Sequence, residues 1–256
     1  GLGGKISGPG GMRAILAGKP LVLHEQNSVA GMANRVMAGV ADRVFTAFPN
    51  VFQKAQWVGN PLRTAFVQQG DPAARFAGRS GPLRLLVVGG SLGARALNEL
   101  VPQALALIPE AKRPLVTHQS GAAQLDALRA NYAAAGVEAS LTAFIDDTAS
   151  AFAEADLIVC RAGASTVTEI AAVGAAALFV PFPSAVDDHQ TRNAEFLVQA
   201  GAGWLVPQRE LSSQKLAEML QNTERPALLE RALKAKNMQK IHATDAVVTA
   251  CEELAA

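Results

Sequence analysis

The chain has 256 residues, half of them hydrophobic and 18% charged, with a formal net charge of +1. That composition excludes a disordered chain, is long enough for one large α/β domain or two smaller ones, and gives no electrostatic reason to expect nucleic acid as a partner. No run approaches the roughly 18 uninterrupted apolar residues of a bilayer span, no signal peptide is evident, and two distant cysteines, Cys160 and Cys251, suit a reducing compartment.

From the front, a glycine-rich turn over residues 1–11 precedes a short predicted helix, 12–17, ended by Gly18. A buried strand is expected at 20–23, with His24-Glu-Gln-Asn27 just past its carboxyl end. A helix over 30–41 and a strand over 43–46 follow. Val58-Gly-Asn-Pro-Leu-Arg63 reads as a turn, and residues 67–82 have the Gly, Pro, Asp and Ser content of a linker. Beyond it short apolar strands, at 83–88, 115–118, 138–144, 157–160, 177–180 and 204–206, alternate with helices. This argues for a parallel sheet covered on both faces. The tail from 211 to 256 reads as helical, interrupted at Pro226.

In such sheets ligands bind outside the carboxyl ends of the strands, and the polar clusters fall there. The first is Arg161-Ala-Gly-Ala-Ser-Thr-Val-Thr-Glu169. An apolar strand stops at a small turn and a helix begins, so free N–H groups and the helix dipole face any anion above it. Glu169, one turn in, can reach a pair of sugar hydroxyls. Gly89-Gly-Ser-Leu-Gly-Ala94 lets the backbone approach a phosphate, with Ser91 as an added donor. It is neither a P-loop nor a dinucleotide fingerprint, and a ligand-free tight turn is the alternative.

His24 and Glu25 could do acid–base work, the alternative being a hydrogen-bonded strand end. His118, beside Ser120 and Gly121, is a candidate to line the cleft or a structural residue. Asp187-Asp-His-Gln190 and Asn193 lack zinc-ligand spacing. His189 and Gln190 read better as hydrogen-bond partners for a polyhydroxylated ligand, with Asp187 an N-cap candidate.

In this order the segments Gly3-Gly-Lys-Ile-Ser-Gly-Pro-Gly-Gly11, His24-Glu-Gln-Asn27, Val58-Gly-Asn-Pro-Leu-Arg63, Gly89-Gly-Ser-Leu-Gly-Ala94, Phe144-Ile-Asp-Asp147, Arg161–Glu169 and Asp188-His-Gln-Thr-Arg-Asn-Ala194 resemble the MurG family, glycosyltransferase family 28 of bacterial peptidoglycan synthesis. The resemblance covers essentially the whole chain. It implies the GT-B fold, two Rossmann-like α/β domains facing each other across a cleft. It also implies inverting transfer of N-acetylglucosamine from UDP-GlcNAc to the muramic acid 4-hydroxyl of lipid I (undecaprenyl-pyrophosphoryl-MurNAc-pentapeptide), giving lipid II. The domains expected are a partial acceptor domain (1–66), the linker (67–82), the UDP-sugar domain (83–235) and a terminal helix (236–256) packing back on the first.

By the same resemblance, Ser91 holds the donor diphosphate, Arg63 and Ile145 lie by the uracil, and Glu169 takes the ribose hydroxyls. Ser165 and Thr166 contact ribose or phosphate. Asn27, the backbone of Ala164, His189 and Gln190 read the sugar, and Gly4, Ser7, Gly8 and Gly10 face the acceptor pyrophosphate. Ser165 and His189 depart from common family forms, which bears on contact details only. No cofactor is held tightly. A divalent cation could assist the diphosphate, but no D-x-D-type ligand set is evident.

The family's earlier glycine-rich loop, with its proposed histidine base, has no counterpart here. For a base the chain offers only His24 and Glu25, so the expectation is a truncated form that binds donor and transfers weakly. The acceptor's lipid implies a cytoplasmic protein peripheral on the inner face of the cell membrane. Met12, Arg13, Ile15, Leu16 and Lys19 are candidates for docking there, the alternative being a packed helix. Two other readings stand beside this one: another GT-B enzyme, such as a UDP-GlcNAc 2-epimerase, and a non-catalytic UDP-sugar-binding module that needs a partner chain.

Overall fold

The computed structural model of the chain describes residues 7–90, 94–183 and 188–255. Ser91, Gly4 and Asp187 therefore lie outside the described residues. Two wholly parallel sheets organise the rest. The smaller has the order β1 (Val22–Glu25), β2 (Arg43–Thr46), β3 (Gln56–Trp57). The larger comprises β4 (Arg84–Val88), β5 (Leu115–Gln119), β6 (Ser140–Thr142), β7 (Leu157–Cys160), β8 (Ala177–Phe179) and β9 (Gly203–Leu205), in the order β6-β5-β4-β7-β8-β9. Counted from β4, that is the 3-2-1-4-5-6 order of a dinucleotide-binding sheet, so its switch point lies between β4 and β7.

The apolar strands are buried on both faces because helices flank them. Leu85 and Val87 of β4 point into one cluster with Leu97, Val101, Leu128 and Leu216, from helices α5 (Arg95–Ala106), α6 (Leu125–Ala135) and α10 (Ser213–Gln221). Leu86, Ile158 and Cys160 point the other way, into a cluster with Phe152, Val167, Ile170 and Leu197, from α7 (Thr148–Glu154), α8 (Ala164–Val173) and α9 (His189–Val198). Pro102 sits inside α5 without an N–H for the carbonyl of Asn98 four residues earlier. Asn131 Nδ2 donates to that carbonyl at 3.0 Å instead.

The front of the chain differs from expectation. Helix α1 spans Ser7–Leu16, not a turn followed by a helix at 12–17. Pro9 falls in its first turn, where a missing N–H costs no bond. The glycines lower helix propensity by about 1 kcal/mol each, and α1 packs on α2 (Met32–Ala38), with the end of the Met37 side chain filling the space beside Gly11. Strand β1 runs to Glu25, because His24 and Glu25 pair with Phe45 and Thr46, so both lie within the strand rather than past its end. Pro226 opens α11 (Arg225–Asn237) instead of interrupting a helix.

The segment with linker composition is pinned to the larger sheet. Helix α3 (Thr64–Val67) leads into it, and it carries α4 (Pro72–Phe76). Phe66 meets Phe152 edge-on, and Arg75 donates to the carbonyls of Ala153, Val173 and Gly174 at the ends of α7 and α8. Buried Asp156 accepts from Arg79, Arg225 and the N–H of Arg84. Two crossings join the sheets and touch one another. Gly59 has φ +89°, and a Cβ there would lie 2.5 Å from Lys240. The last helix, α12 (Ala243–Ala255), returns to the small sheet and buries Ala243 and Ala250 against Phe45 and Val58.

Candidate functional site

At the switch point the loops after β4 and β7 face the same space. The β7 loop is short: Arg161, Ala162 and Gly163, then α8. Gly163 is the N-cap of α8 and has no side chain to cap it. Its carbonyl takes the N–H of Val167, so the N–H groups of Ala164, Ser165 and Thr166 are left at the helix mouth. Ser165 and Glu169 share the open face of α8 at i, i+4, while Ala164, Val167, Thr168 and Ile170 are buried. Glu169 is partly buried. Desolvation pushes its pKa up to about 7, and the charge of Arg63 works against that rise.

Arg63 approaches from the turn after the first crossing and lies over the ring of Phe66, 4.9 Å from its centroid. Its charge is also felt by Asp147, the N-cap of α7. Arg63, Glu169 and the 143–147 loop, which carries Ile145, are thus one neighbourhood. Thr148 Oγ1 donates to Ile145 O at 3.2 Å, closing that loop at its far end.

The second cluster meets the first across the two sheets. Asn193 is fully buried on α9. Its Oδ1 accepts from Ser28 N and Ser28 Oγ at 2.9 and 2.8 Å, and its Nδ2 donates to Ala162 O and to Asn27 Oδ1 at 3.2 and 3.3 Å. Gln190 Oε1 accepts from Ala162 N and Phe182 N at 3.3 and 2.9 Å. His189 opens the same helix. Asn60 bridges as well, its Nδ2 lying 3.4 Å from both Gln26 O and Thr168 Oγ1.

His24 and Glu25 are not presented to this space; each is 3% exposed. His24 Nε2 lies 2.9 Å from Gly59 O, and burial lowers its pKa, only partly opposed by that hydrogen bond. Glu25 accepts from Asn27 N, Gly31 N and Asn34 Nδ2 at 2.9, 3.2 and 2.8 Å. The acid–base role expected of the pair needs a proton acceptor that reaches its substrate, whereas Glu25 is engaged by three N–H donors and His24 is buried with Nδ1 lacking a hydrogen-bond partner. His118 does not line the cleft either. It is fully buried between Tyr132 OH and Asn98 Oδ1, both at 3.0 Å, and burial pulls its pKa down to about 3. Ser7, Gly8 and Gly10 belong to the first turn of α1, which packs against α2.

Gln119 escaped the sequence reading, and Asn60, inside the Val58–Arg63 turn, and Asn193 entered it without a role. Asn193 could have been found by its spacing, four residues on from His189 along the helix. Asn60 could have been found from its Gly-Asn-Pro turn, and Gln119 carries no local signal. Among the described residues no group of three or more His, Cys, Asp or Glu could hold a metal ion, and no helix is long and apolar enough to cross a membrane.

Residues 84–248 match the glycosyltransferase family 28 C-terminal domain, and residues 1–46 match its N-terminal domain. The UDP-N-acetylglucosamine--N-acetylmuramyl-(pentapeptide) pyrophosphoryl-undecaprenol N-acetylglucosamine transferase of Paracidovorax citrulli (strain AAC00-1) is 78% identical over 256 residues, covering 100% of this chain and 72% of that protein. The protein of the same name from Polaromonas sp. (strain JS666 / ATCC BAA-500) is 75% identical, with 66% of its length covered. The crystal structure of Acinetobacter baumannii MurG superposes with a TM-score of 0.90 at 42% identity, over 99% of this chain and 72% of that one. A kitacinnamycin glycosyltransferase, at TM-score 0.61 and 17% identity, shares the fold alone.

Proposed function

Because the chain belongs to glycosyltransferase family 28, we propose that it binds UDP-GlcNAc at the β4–β7 switch point and serves the transfer of N-acetylglucosamine to the muramic acid 4-hydroxyl of lipid I. The observation that carries this reading is the uncapped N-terminus of α8 with Glu169 one turn along it and Arg63 opposite. An anionic diphosphate is favoured by the free N–H groups, and a carboxylate is the acceptor a vicinal diol needs. Ser165 and Thr166 take ribose or phosphate, and Ile145 and Arg63 the base. Asn27, Ala164, His189 and Gln190 take the sugar, and Ser91 takes the diphosphate.

Inversion follows from one in-line displacement. The acceptor oxygen bonds to the anomeric carbon as the bond to the UDP oxygen breaks, and the hydroxyl proton leaves to a base. Charge building on UDP is met by the α8 amides and Arg63. We assign Glu25 to holding the 26–31 loop that carries Asn27 and His24 to the turn at Gly59, and neither to taking that proton. Ser7, Gly8 and Gly10 lie at the start of a helix whose dipole suits an acceptor pyrophosphate.

The same reading puts the protein on the inner face of the cell membrane. Met32 and Val36 of α2, at i, i+4, and Val40 just past its end expose apolar side chains, as do Met12 and Leu16 of α1, and Arg13, Lys19 and Arg43 are exposed too. That combination suits an anionic bilayer surface.

Calorimetric titration with UDP-GlcNAc tests the donor site. Glu169→Ala should weaken binding by about 1–3 kcal/mol, and equal affinity would overturn the reading. Formation of UDP-N-acetylmannosamine would favour an epimerase instead.

A further inference from the structure

Gln119 ends β5, 4% exposed, on the face opposite His118. Its side chain is spent on two loops. Oε1 accepts from Gly90 N at 3.2 Å, and Nε2 donates to Gly90 O at 3.1 Å and to Ala143 O at 2.8 Å. Its backbone carbonyl takes the N–H of Gly89 at 3.2 Å. The exchange with Gly90 is reciprocal, so the carboxamide behaves as an added rung of the β4–β5 ladder, carried past the Val88–Gln119 pair. Gly90 has φ +83°, a conformation the ladder itself would not impose, and the side chain holds it there. Ala143 O also accepts from Gly121 N at 3.1 Å and lies two residues before Ile145.

We propose that Gln119 is a positioning residue that sets the spacing between the glycine turn after β4, where the donor diphosphate is read, and the 143–147 loop, where the nucleobase is read. This rests on the donor site proposed above. The chemistry of the position allows few substitutes. A carboxylate there could still accept from Gly90 N–H, but it would face two carbonyl oxygens with nothing to donate. A thioether of similar volume would leave both Gly90 groups unpaired and Ala143 O with the N–H of Gly121 alone. Either change leaves each loop in place on its own strand while releasing one from the other.

A ligand that touches both loops must then lose more than a ligand that touches one. Titration of Gln119→Glu and Gln119→Met with uridine and with UDP reads this directly. UDP affinity should fall about tenfold or more and uridine affinity less than about threefold, since freeing the loops removes the preorganisation that only the longer ligand uses. Equal losses for the two ligands, or no loss for UDP, overturn the proposal.

Glu169→Ala is the control. If it also leaves UDP binding untouched, the donor site itself is misplaced; if it weakens UDP while the Gln119 variants do not, only the coupling fails. The unsubstituted protein gives a second readout, independent of whether the variants fold. Uridine alone should slow amide exchange at Gly89 and Gly90, which it does not span, and unchanged exchange there overturns the coupling.

Discussion

The side-chain carbonyl of Asn193 accepts both the backbone N–H and the hydroxyl of Ser28, 165 residues earlier in the chain, at 2.9 and 2.8 Å. With Nδ2 given to Ala162 and Asn27, every hydrogen-bonding position of this buried amide is used, and the two sheets are joined through it. Asn193→Leu should therefore lower unfolding free energy by roughly 1–3 kcal/mol in urea, because Ser28 and Ala162 keep their polar groups and lose their partner. Ser28→Ala removes one of the bonds and should cost less. Equal stability of Asn193→Leu and the parent chain would show that the bridge carries no weight.

Glu25 makes a different kind of clamp. Its carboxylate gathers N–H groups from Asn27, Gly31 and Asn34 and so folds the 26–31 loop back on β1. Glu25→Gln places an NH₂ group among donors. Amide exchange at Gly31 and Asn27 should rise about tenfold or more, the equivalent of one charged hydrogen bond of about 1.5–3 kcal/mol. A Glu25→Gln protein with unchanged protection would mean the loop is held by something else.

Glu169 gives a pH signature. Its folded pKa is near 7 against an ordinary 4.5, with burial as the cause. Between those values the native chain holds a proton that the unfolded chain has released, so this group's contribution to stability is present at low pH and declines as pH rises through 7. Glu169→Gln should flatten that part of the profile of unfolding free energy against pH. A diol ligand needs the ionised form, so UDP binding at pH 6.5 should release protons, seen as a dependence of the calorimetric heat on buffer ionisation enthalpy. The dependence should vanish in Glu169→Gln.

The cysteines separate by burial alone. Cys160 is fully buried at the end of β7, where desolvation pushes its thiol far above the ordinary range, and Cys251 is exposed on α12. A thiol-reactive disulfide reagent should modify Cys251 promptly in the native chain and Cys160 only after denaturation. Prompt reaction of both would contradict the packing of β7.

What could be read in the sequence was whatever rests on short-range pattern. The alternation of apolar strands with helices gave the parallel sheet, since a strand buried on both faces must be apolar throughout. The β7–α8 turn gave a helix mouth for an anion, since a glycine-flanked strand end can do little else. The placing of Glu169 and Ser165 on the open face of α8 was legible for the same reason, since i, i+4 spacing is local.

Tertiary structure decided the rest. Whether His24 and Glu25 face solvent or the interior depended on a strand end that shifted by two residues, set by pairing with Phe45 and Thr46. Residues 7–16 form a helix packed on α2, with the end of the Met37 side chain beside Gly11, which the local glycine pattern did not foretell. Asn193 with Ser28, Asn60 with Thr168, and Gln119 with Gly90 and Ala143 join residues from 24 to 165 positions apart. A buried amide leaves no periodicity and no composition bias, so which carbonyl it meets is fixed only when the sheets close.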